Sequence, residues 1–225
     1  MQSICANLLD LDLKEERKMR IGIYGGTFNP IHIGHLHIAD AAATTLNLDV
    51  VYFIPAENPY MKDQTELLPY WRRATMVRTA IEDDERFEFR DDDVTNNLTP
   101  SYMYLTVQNI KEEQFSSDEL FLIMGEDSYL QFKDWYKVDT IIENINGIYV
   151  YRRDNSLWTN EQLVAMYPTL QIIVTKPEDN IHISSTIIRH RLRHKLGCQY
   201  LLPREVYRYI KYNKLYHCEE LNYDF

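Results

Sequence analysis

The chain predicts a doubly wound α/β fold, a parallel sheet with helices on both faces, and three observations predict it. Short apolar runs of strand length alternate with stretches whose apolar residues recur at helical spacing. Each run stops at a short turn, commonly marked by Gly, Pro or an acid, before the next helix begins. A run such as Val50-Val51-Tyr52-Phe53-Ile54 is apolar on both of its sides, as a strand covered on two faces must be. Rossmann-like sheets of this kind bind ligands outside the carboxyl ends of their strands, near the point where strand order reverses.

The elements follow in order. Residues 21–24 form an apolar strand that stops at Gly25-Gly26, and a helix opens near Gly34 with Leu36, Ala39, Ala42 or Ala43 and Leu46 on its inner side. Residues 50–54 complete a βαβ unit, and 55–68 read as an irregular loop. Pro69, a residue favoured in a first turn, starts a helix whose buried side is assigned to Trp71, Ala74, Met76, Val77, Ala80 and Ile81. Phe87-Glu88-Phe89 is a third strand, and Ser101 is placed as the cap of a helix running to Lys111. Strands at 119–124, 147–151 and 170–175 alternate with helices ending near Asn144 and spanning 161–166. Ser184 and Ser185 cap a helix carrying Arg189, and Pro203 opens the last one, to about Asn213.

A chain of 225 residues suits one domain; the boundaries read as an extension over 1–19, the domain over 20–216 and a tail over 217–225. The first 18 residues lack the pattern of an export signal, and three origins stay open: a lineage extension, an overlong start, or an amphipathic helix lying on the domain. A hydrophobic fraction of 45% with no run near the roughly 20 residues of a membrane span excludes insertion. The net charge of −10 opposes nucleic-acid binding and asks any anionic ligand to be held by a local basic patch. Cys5, Cys198 and Cys218 are widely spaced without a Cys-x-x-Cys pair, which suggests neither a disulfide framework nor structural zinc and fits a reducing cytoplasm. Glu82-Asp83-Asp84-Glu85 and Asp91-Asp92-Asp93 read as solvated surface and not as a metal cage. A homo-oligomer is neither implied nor excluded.

The stretch that carries chemistry is Arg20 to Leu36. Gly25 and Gly26 allow backbone conformations closed to residues with a Cβ and let a ligand approach the main chain. Thr27 and Phe28 can present N–H groups beside the positive end of the following helix, a natural seat for phosphate. His32 and His35, three residues apart, add imidazole donors for polyphosphate oxygens. A blander reading has the same rings capping backbone groups in an ordinary strand-to-helix turn.

Gly25-Gly26-Thr27-Phe28-Asn29-Pro30-Ile31-His32-Ile33-Gly34-His35 resembles the signature of the nucleotidylyltransferase superfamily, and most resembles that of bacterial nicotinate mononucleotide adenylyltransferases. The resemblance extends from about Arg20 to Tyr216. Ile183-Ser184-Ser185-Thr186 with Arg189 looks like the family's second signature, which holds the triphosphate of ATP. Gly125-Glu126-Asp127 stands where the family places Gly-x-Asp, an acid that receives ribose hydroxyls; Trp135-Tyr136 matches a segment packed against the pyridine ring.

The resemblance therefore implies His32, His35 and Arg189 as catalytic residues. It implies Gly25, Gly26, Thr27, Phe28, Gly34, Gly125, Asp127, Ile183, Ser184, Ser185 and Thr186 on the ATP side. Asn29, Lys62, Ser101, Tyr102, Thr106, Trp135 and Tyr136 fall on the mononucleotide side. The implied substrates are ATP, accompanied by Mg²⁺ with no dedicated protein cage, and nicotinate mononucleotide. Three positions depart from the family pattern: Met61 replaces a common His, and Met103 and Leu105 replace a Thr and an Asp near the ring end. Pantetheine-phosphate adenylyltransferase, a cytidylyltransferase and a non-catalytic nucleotide sensor are the rival readings. Against a class I aminoacyl-tRNA synthetase stand the acidic charge and the missing Lys-Met-Ser-Lys loop.

Overall fold

A computed structural model describes residues 18–59, 65–92, 100–113, 117–152, 156–176 and 181–218. Six strands are present: β1 Arg20–Gly26, β2 Val50–Pro55, β3 Phe87–Phe89, β4 Glu119–Gly125, β5 Gly147–Tyr151 and β6 Gln171–Val174. Between and after them run α1 Ile33–Leu46, α2 Tyr70–Ile81, α3 Met103–Glu113, α4 Glu126–Leu130, α5 Val138–Asn144, α6 Asn160–Ala165, α7 Ser185–Arg193 and α8 Arg204–Tyr212. Three short 3-10 turns, Phe132–Asp134, Gln199–Leu201 and Leu215–His217, complete the described chain.

The strands pair in the order β3-β2-β1-β4-β5-β6, every pair parallel. β1 lies between β2 and β4, with Ile21 opposite Val50 on one side and Leu120 on the other, so strand order reverses there and the carboxyl ends of β1 and β4 flank a crevice. Alternation along the strands feeds two cores. Tyr24, Val51, Phe53, Phe121, Ile123 and Tyr149 pack under α1, α2, α7 and α8, through residues such as Ala39, Val77, Ile188 and Val206. Ile21, Ile23, Tyr52, Leu122, Met124 and Val150 pack under α3 to α6, through Val107, Tyr129, Ile141 and Leu163. Helices cover both faces, as the doubly wound reading requires.

Four details correct the sequence reading. Trp71 is 57% exposed, while Arg73 is wholly buried in the stripe assigned to Trp71. Ser101 does not cap α3: its hydroxyl accepts the Asn58 N–H at 2.9 Å, and its own N–H donates to the Asn58 carbonyl at 3.0 Å. Among the acids read as solvated, Asp92 is nearly enclosed and takes two hydrogen bonds of 2.7 Å from Arg90; Asp84 likewise pairs with Arg86. Between Gly125 and Leu130 the expected turn is the short helix α4. Cys198 and Cys218 are buried thiols in the core beneath α7 and α8. Among the described residues no helix is long and apolar enough to cross a membrane.

Candidate active site

At the carboxyl end of β1 the chain turns through Gly25-Gly26-Thr27 into α1. No glycine takes a positive φ; Phe28 does (46°), which corrects the expectation that the glycines supply unusual backbone angles. Their smallness matters instead. A Cβ on Gly26 would stand 2.9 Å from the ring of Phe28, itself 2% exposed, and one on Gly34 would stand 3.0 Å from His32 Nδ1. The Asn29-Pro30 peptide bond is cis.

The carbonyls of this turn are bound from within. Gly26 O accepts Ala56 N–H at 2.8 Å and Thr27 O accepts Arg73 Nη1 at 2.8 Å. Asn29 O accepts Arg189 Nη1 at 2.9 Å, and Pro30 O accepts the Ser185 hydroxyl at 2.8 Å. In a planar trans peptide the next N–H points opposite to the carbonyl, so the amides of Thr27 and Phe28 turn away from these internal donors. The two signatures, far apart in sequence, thereby meet. Ile183 adds a contact, its Cβ 3.6 Å from where a Gly34 Cβ would be. Ser184 caps α7, its Oγ accepting Ile187 N–H at 3.2 Å, and Tyr151 at the end of β5 takes Ile181 N–H at 2.5 Å.

His32 occupies the N-cap of α1 with extended backbone (φ −149°, ψ 170°). Its N–H donates to His35 Nδ1 at 3.2 Å, so His35 does what Glu or Gln does in a capping box. With Nδ1 accepting, neutral His35 carries its proton on Nε2 and offers it as a donor. The rings stack at 3.7 Å and 26°, and Phe28 sets its edge on His35 at 5.1 Å. His32 is 4% exposed, and its Nδ1 has no hydrogen-bond partner among the described residues. Buried polar atoms are normally satisfied, so an orphan here suits a ligand or water. Burial lowers the His32 pKa from 6.5 to about 4, which keeps the ring neutral at physiological pH.

That shift has a sign for stability. The folded pKa lies below the unfolded one, so the contribution is present above pH 6.5 and is lost as pH falls toward 4, by an amount on the order of 3 kcal/mol. Urea unfolding of wild type and His32→Asn between pH 7 and 4 should show the wild type losing that much more. Parallel curves would contradict a neutral, buried ring.

Arg189 also donates Nε to Glu66 Oε2 at 3.0 Å, and Arg193 pairs with the other Glu66 oxygen. Asn29 is 6% exposed and spends its amide on protein: Nδ2 donates to Glu66 O at 2.9 Å, and Oδ1 accepts Leu68 N–H at 3.3 Å and the Tyr216 hydroxyl at 2.8 Å. Across the crevice, Gly125 is the N-cap of α4 and a Cβ there would meet nothing within 4 Å; Asp127 sits exposed in the first turn of α4. Next to it Glu126 is buried and accepts the Ser156 hydroxyl.

Ser101, Tyr102, Thr106 and Tyr136 gather by α3. The Met103 methyl lies where a Gly25 Cβ would be, which brings the start of α3 over the glycine turn. Tyr102 lies tilted against half-exposed Tyr136 at 4.7 Å, Tyr104 meets Tyr136 at 5.5 Å, and Lys137 Nζ sits 4.3 Å above Tyr104. Trp135 is half-buried, edge-on to Phe132 at 5.2 Å. Thr106 is 2% exposed inside α3's packing, and Lys62 and Met61 lie outside the described residues. Arg73, Glu66 and Tyr216 were not selected from sequence; only Arg73 carried a signal, a cation on an apolar stripe.

No group of three or more His, Cys, Asp or Glu side chains among the described residues is arranged to hold a metal ion. Imidazole and guanidinium donors fit a cation that arrives bridged to phosphate oxygens, as Mg²⁺ usually does.

Residues 23–191 match the family model described as cytidylyltransferase-like. The chain is 36% identical over 200 residues to a Clostridium botulinum protein named "Probable nicotinate-nucleotide adenylyltransferase", covering 88% of this chain and 98% of that one. A Carboxydothermus hydrogenoformans protein of the same name is 37% identical over 201 residues, with the same coverage. Among solved structures, a Plasmodium falciparum nicotinic acid mononucleotide adenylyltransferase complexed with APC superposes with a TM-score of 0.72 at 17% identity, over 89% of this chain and 98% of that one; at that identity the likeness concerns the fold.

Proposed function

The chain belongs to the cytidylyltransferase-like family, in its nicotinate-nucleotide adenylyltransferase branch, and on that premise we propose that it transfers the adenylyl group of ATP to nicotinate mononucleotide. The products are nicotinate adenine dinucleotide and pyrophosphate, a step of NAD biosynthesis. One observation supports the reading above the others: the amino end of α7, with Ser185 and Arg189, is bonded to the turn that leads into His32 and His35, so both signatures face one place.

A 5′-phosphate oxygen of the mononucleotide attacks the α-phosphorus of ATP in line, forming a new P–O bond as the bond to the β-phosphate oxygen breaks. No proton need move at the reacting atoms, and no covalent enzyme intermediate is required. Catalysis is then positioning and charge neutralisation. The amides of Thr27 and Phe28, the amino ends of α1 and α7, Arg189 and the two imidazoles hold the triphosphate. His35 Nε2–H donates to oxygens whose charge grows in the transition state. Mg²⁺ arriving with the nucleotide would supply further charge neutralisation, while Arg189, His32 and His35 hold the triphosphate itself. Gly125 leaves room beside β4 for the adenosine ribose, whose hydroxyls Asp127 accepts. The tyrosines at 102 and 136, with Trp135, face the pyridine ring. Lys62 takes the mononucleotide phosphate. Asn29 contributes through the loop it ties down.

Purified protein with Mg²⁺, ATP and nicotinate mononucleotide should release pyrophosphate and form the dinucleotide. A comparison of kcat/KM for the nicotinate and nicotinamide mononucleotides sets the preference, expected to favour the acid. ATP binding without turnover of either substrate would replace this reading with the sensor.

A further inference from the structure

Arg189 is not held by its own helix. Its two bonded directions are set by the Asn29 carbonyl, 2.9 Å from Nη1, and by Glu66 Oε2, 3.0 Å from Nε. Both acceptors belong to segments organised by the Asn29 side chain, which takes Leu68 N–H on Oδ1 and gives Nδ2–H to the Glu66 carbonyl. The remaining partner of that side chain comes from the far end of the described chain: the Tyr216 hydroxyl donates to Asn29 Oδ1 at 2.8 Å, and Tyr216 is 8% exposed.

The backbone bends unusually to deliver this phenol. Lys214 (φ 51°), Tyr216 (58°) and His217 (58°) all occupy the left-handed region, which disfavours L residues with large side chains. Such conformations persist where the surroundings over-determine them. Burial raises the pKa of the phenol by more than the guanidiniums of Arg189 and Arg73 lower it, so it stays a protonated donor close to both cations.

We propose that Tyr216 is a positioning residue for the adenylyl transfer: through Asn29 it fixes the acceptors that aim Arg189 at the triphosphate. The inference rests on the reading that Arg189 holds ATP. The carboxyl-terminal turn is thus a working part of the site, although no residue of it faces the crevice mouth by sequence signature.

The test is a double-mutant cycle on the full chain with Tyr216→Phe, Arg189→Ala and both together, reading kcat and the KM of each substrate. ATP binding is measured separately by calorimetry, at a temperature well below every variant's melting point. Phe keeps the ring packing and removes only the donor. Tyr216→Phe should lower kcat/KM for ATP about tenfold, the scale of one lost buried hydrogen bond, with the mononucleotide KM unchanged. In the Arg189→Ala background it should add less than twofold. An unchanged ATP parameter in Tyr216→Phe overturns the inference by confining the residue to stability, and effects that multiply independently overturn it too, since they mark a route to the site that bypasses Arg189. If Arg189→Ala alone leaves ATP binding and turnover intact, the underlying reading of Arg189 fails first, and that outcome is distinct from the other two.

Discussion

Replacing His35 with alanine is expected to lower kcat by about 10²–10³-fold, the range for loss of one donor aimed at developing transition-state charge. The site's geometry separates this from a folding defect. His35 Nδ1 accepts the His32 N–H at 3.2 Å, so the alanine variant also loses a helix cap, worth about 1 kcal/mol and about 2–4 °C in melting temperature for a chain of this size. Turnover and stability are therefore both affected, but on different scales. His35→Gln pulls them apart: Gln is a usual residue at this capping-box position and can accept the same N–H, yet cannot place an imidazole Nε2–H over the phosphates. Its melting temperature should return toward wild type while kcat stays low. If kcat in both variants remained within about threefold of wild type, the ring would be a cap and nothing more.

Much of this site was legible because its two halves are local. Gly25 to His35 is one strand, one turn and one helix start, and the Ser184 cap with Arg189 is one helix; each obeys short-range rules that a sequence displays. The alternation of strands and helices likewise gave the doubly wound class, and the structure places all six strands within a few residues of their expected limits. What the sequence did not display is how distant segments touch. Asn29 looks like part of an exposed signature, but its amide points inward to Glu66, Leu68 and Tyr216, partners that no local pattern connects. The Trp71 error has a different cause. Counting from Arg73, the positions 76, 77, 80 and 81 fall at the i+3, i+4, i+7 and i+8 spacing of a buried stripe, whereas the same count from Trp71 reaches buried Ala74 but then Thr75, Arg78 and Thr79, which are polar. Helical phase, not the apolar character of residue 71, decides which side of α2 is buried.

The same phase that buries Arg73 makes its replacement a large expected stability effect. It is wholly buried, and its guanidinium fans over three main-chain carbonyls: Leu68 at 2.9 Å, Thr27 at 2.8 Å and Glu57 at 3.2 Å. These carbonyls lie in the loops that follow β1 and β2, the two walls beside the glycine turn. A planar fork can serve three acceptors at once; an ammonium cannot do so with the same geometry. Arg73→Met fills similar space but strips donors from buried carbonyls, each costing about 1–3 kcal/mol when left unsatisfied and not fully additive. A loss of about 4 kcal/mol is expected, or a melting temperature lower by about 8–16 °C. Arg73→Lys should recover part of that stability, and in the folded Lys variant kcat/KM for ATP should still be depressed, because Thr27 O has lost its fixed donor and the amides that follow it are no longer held outward. A melting temperature for Arg73→Met within about 2 °C of wild type would show that the loops keep their shape without the buried cation, and the glycine turn would then owe its form to the neighbouring Ala56, Ser185 and Arg189 contacts.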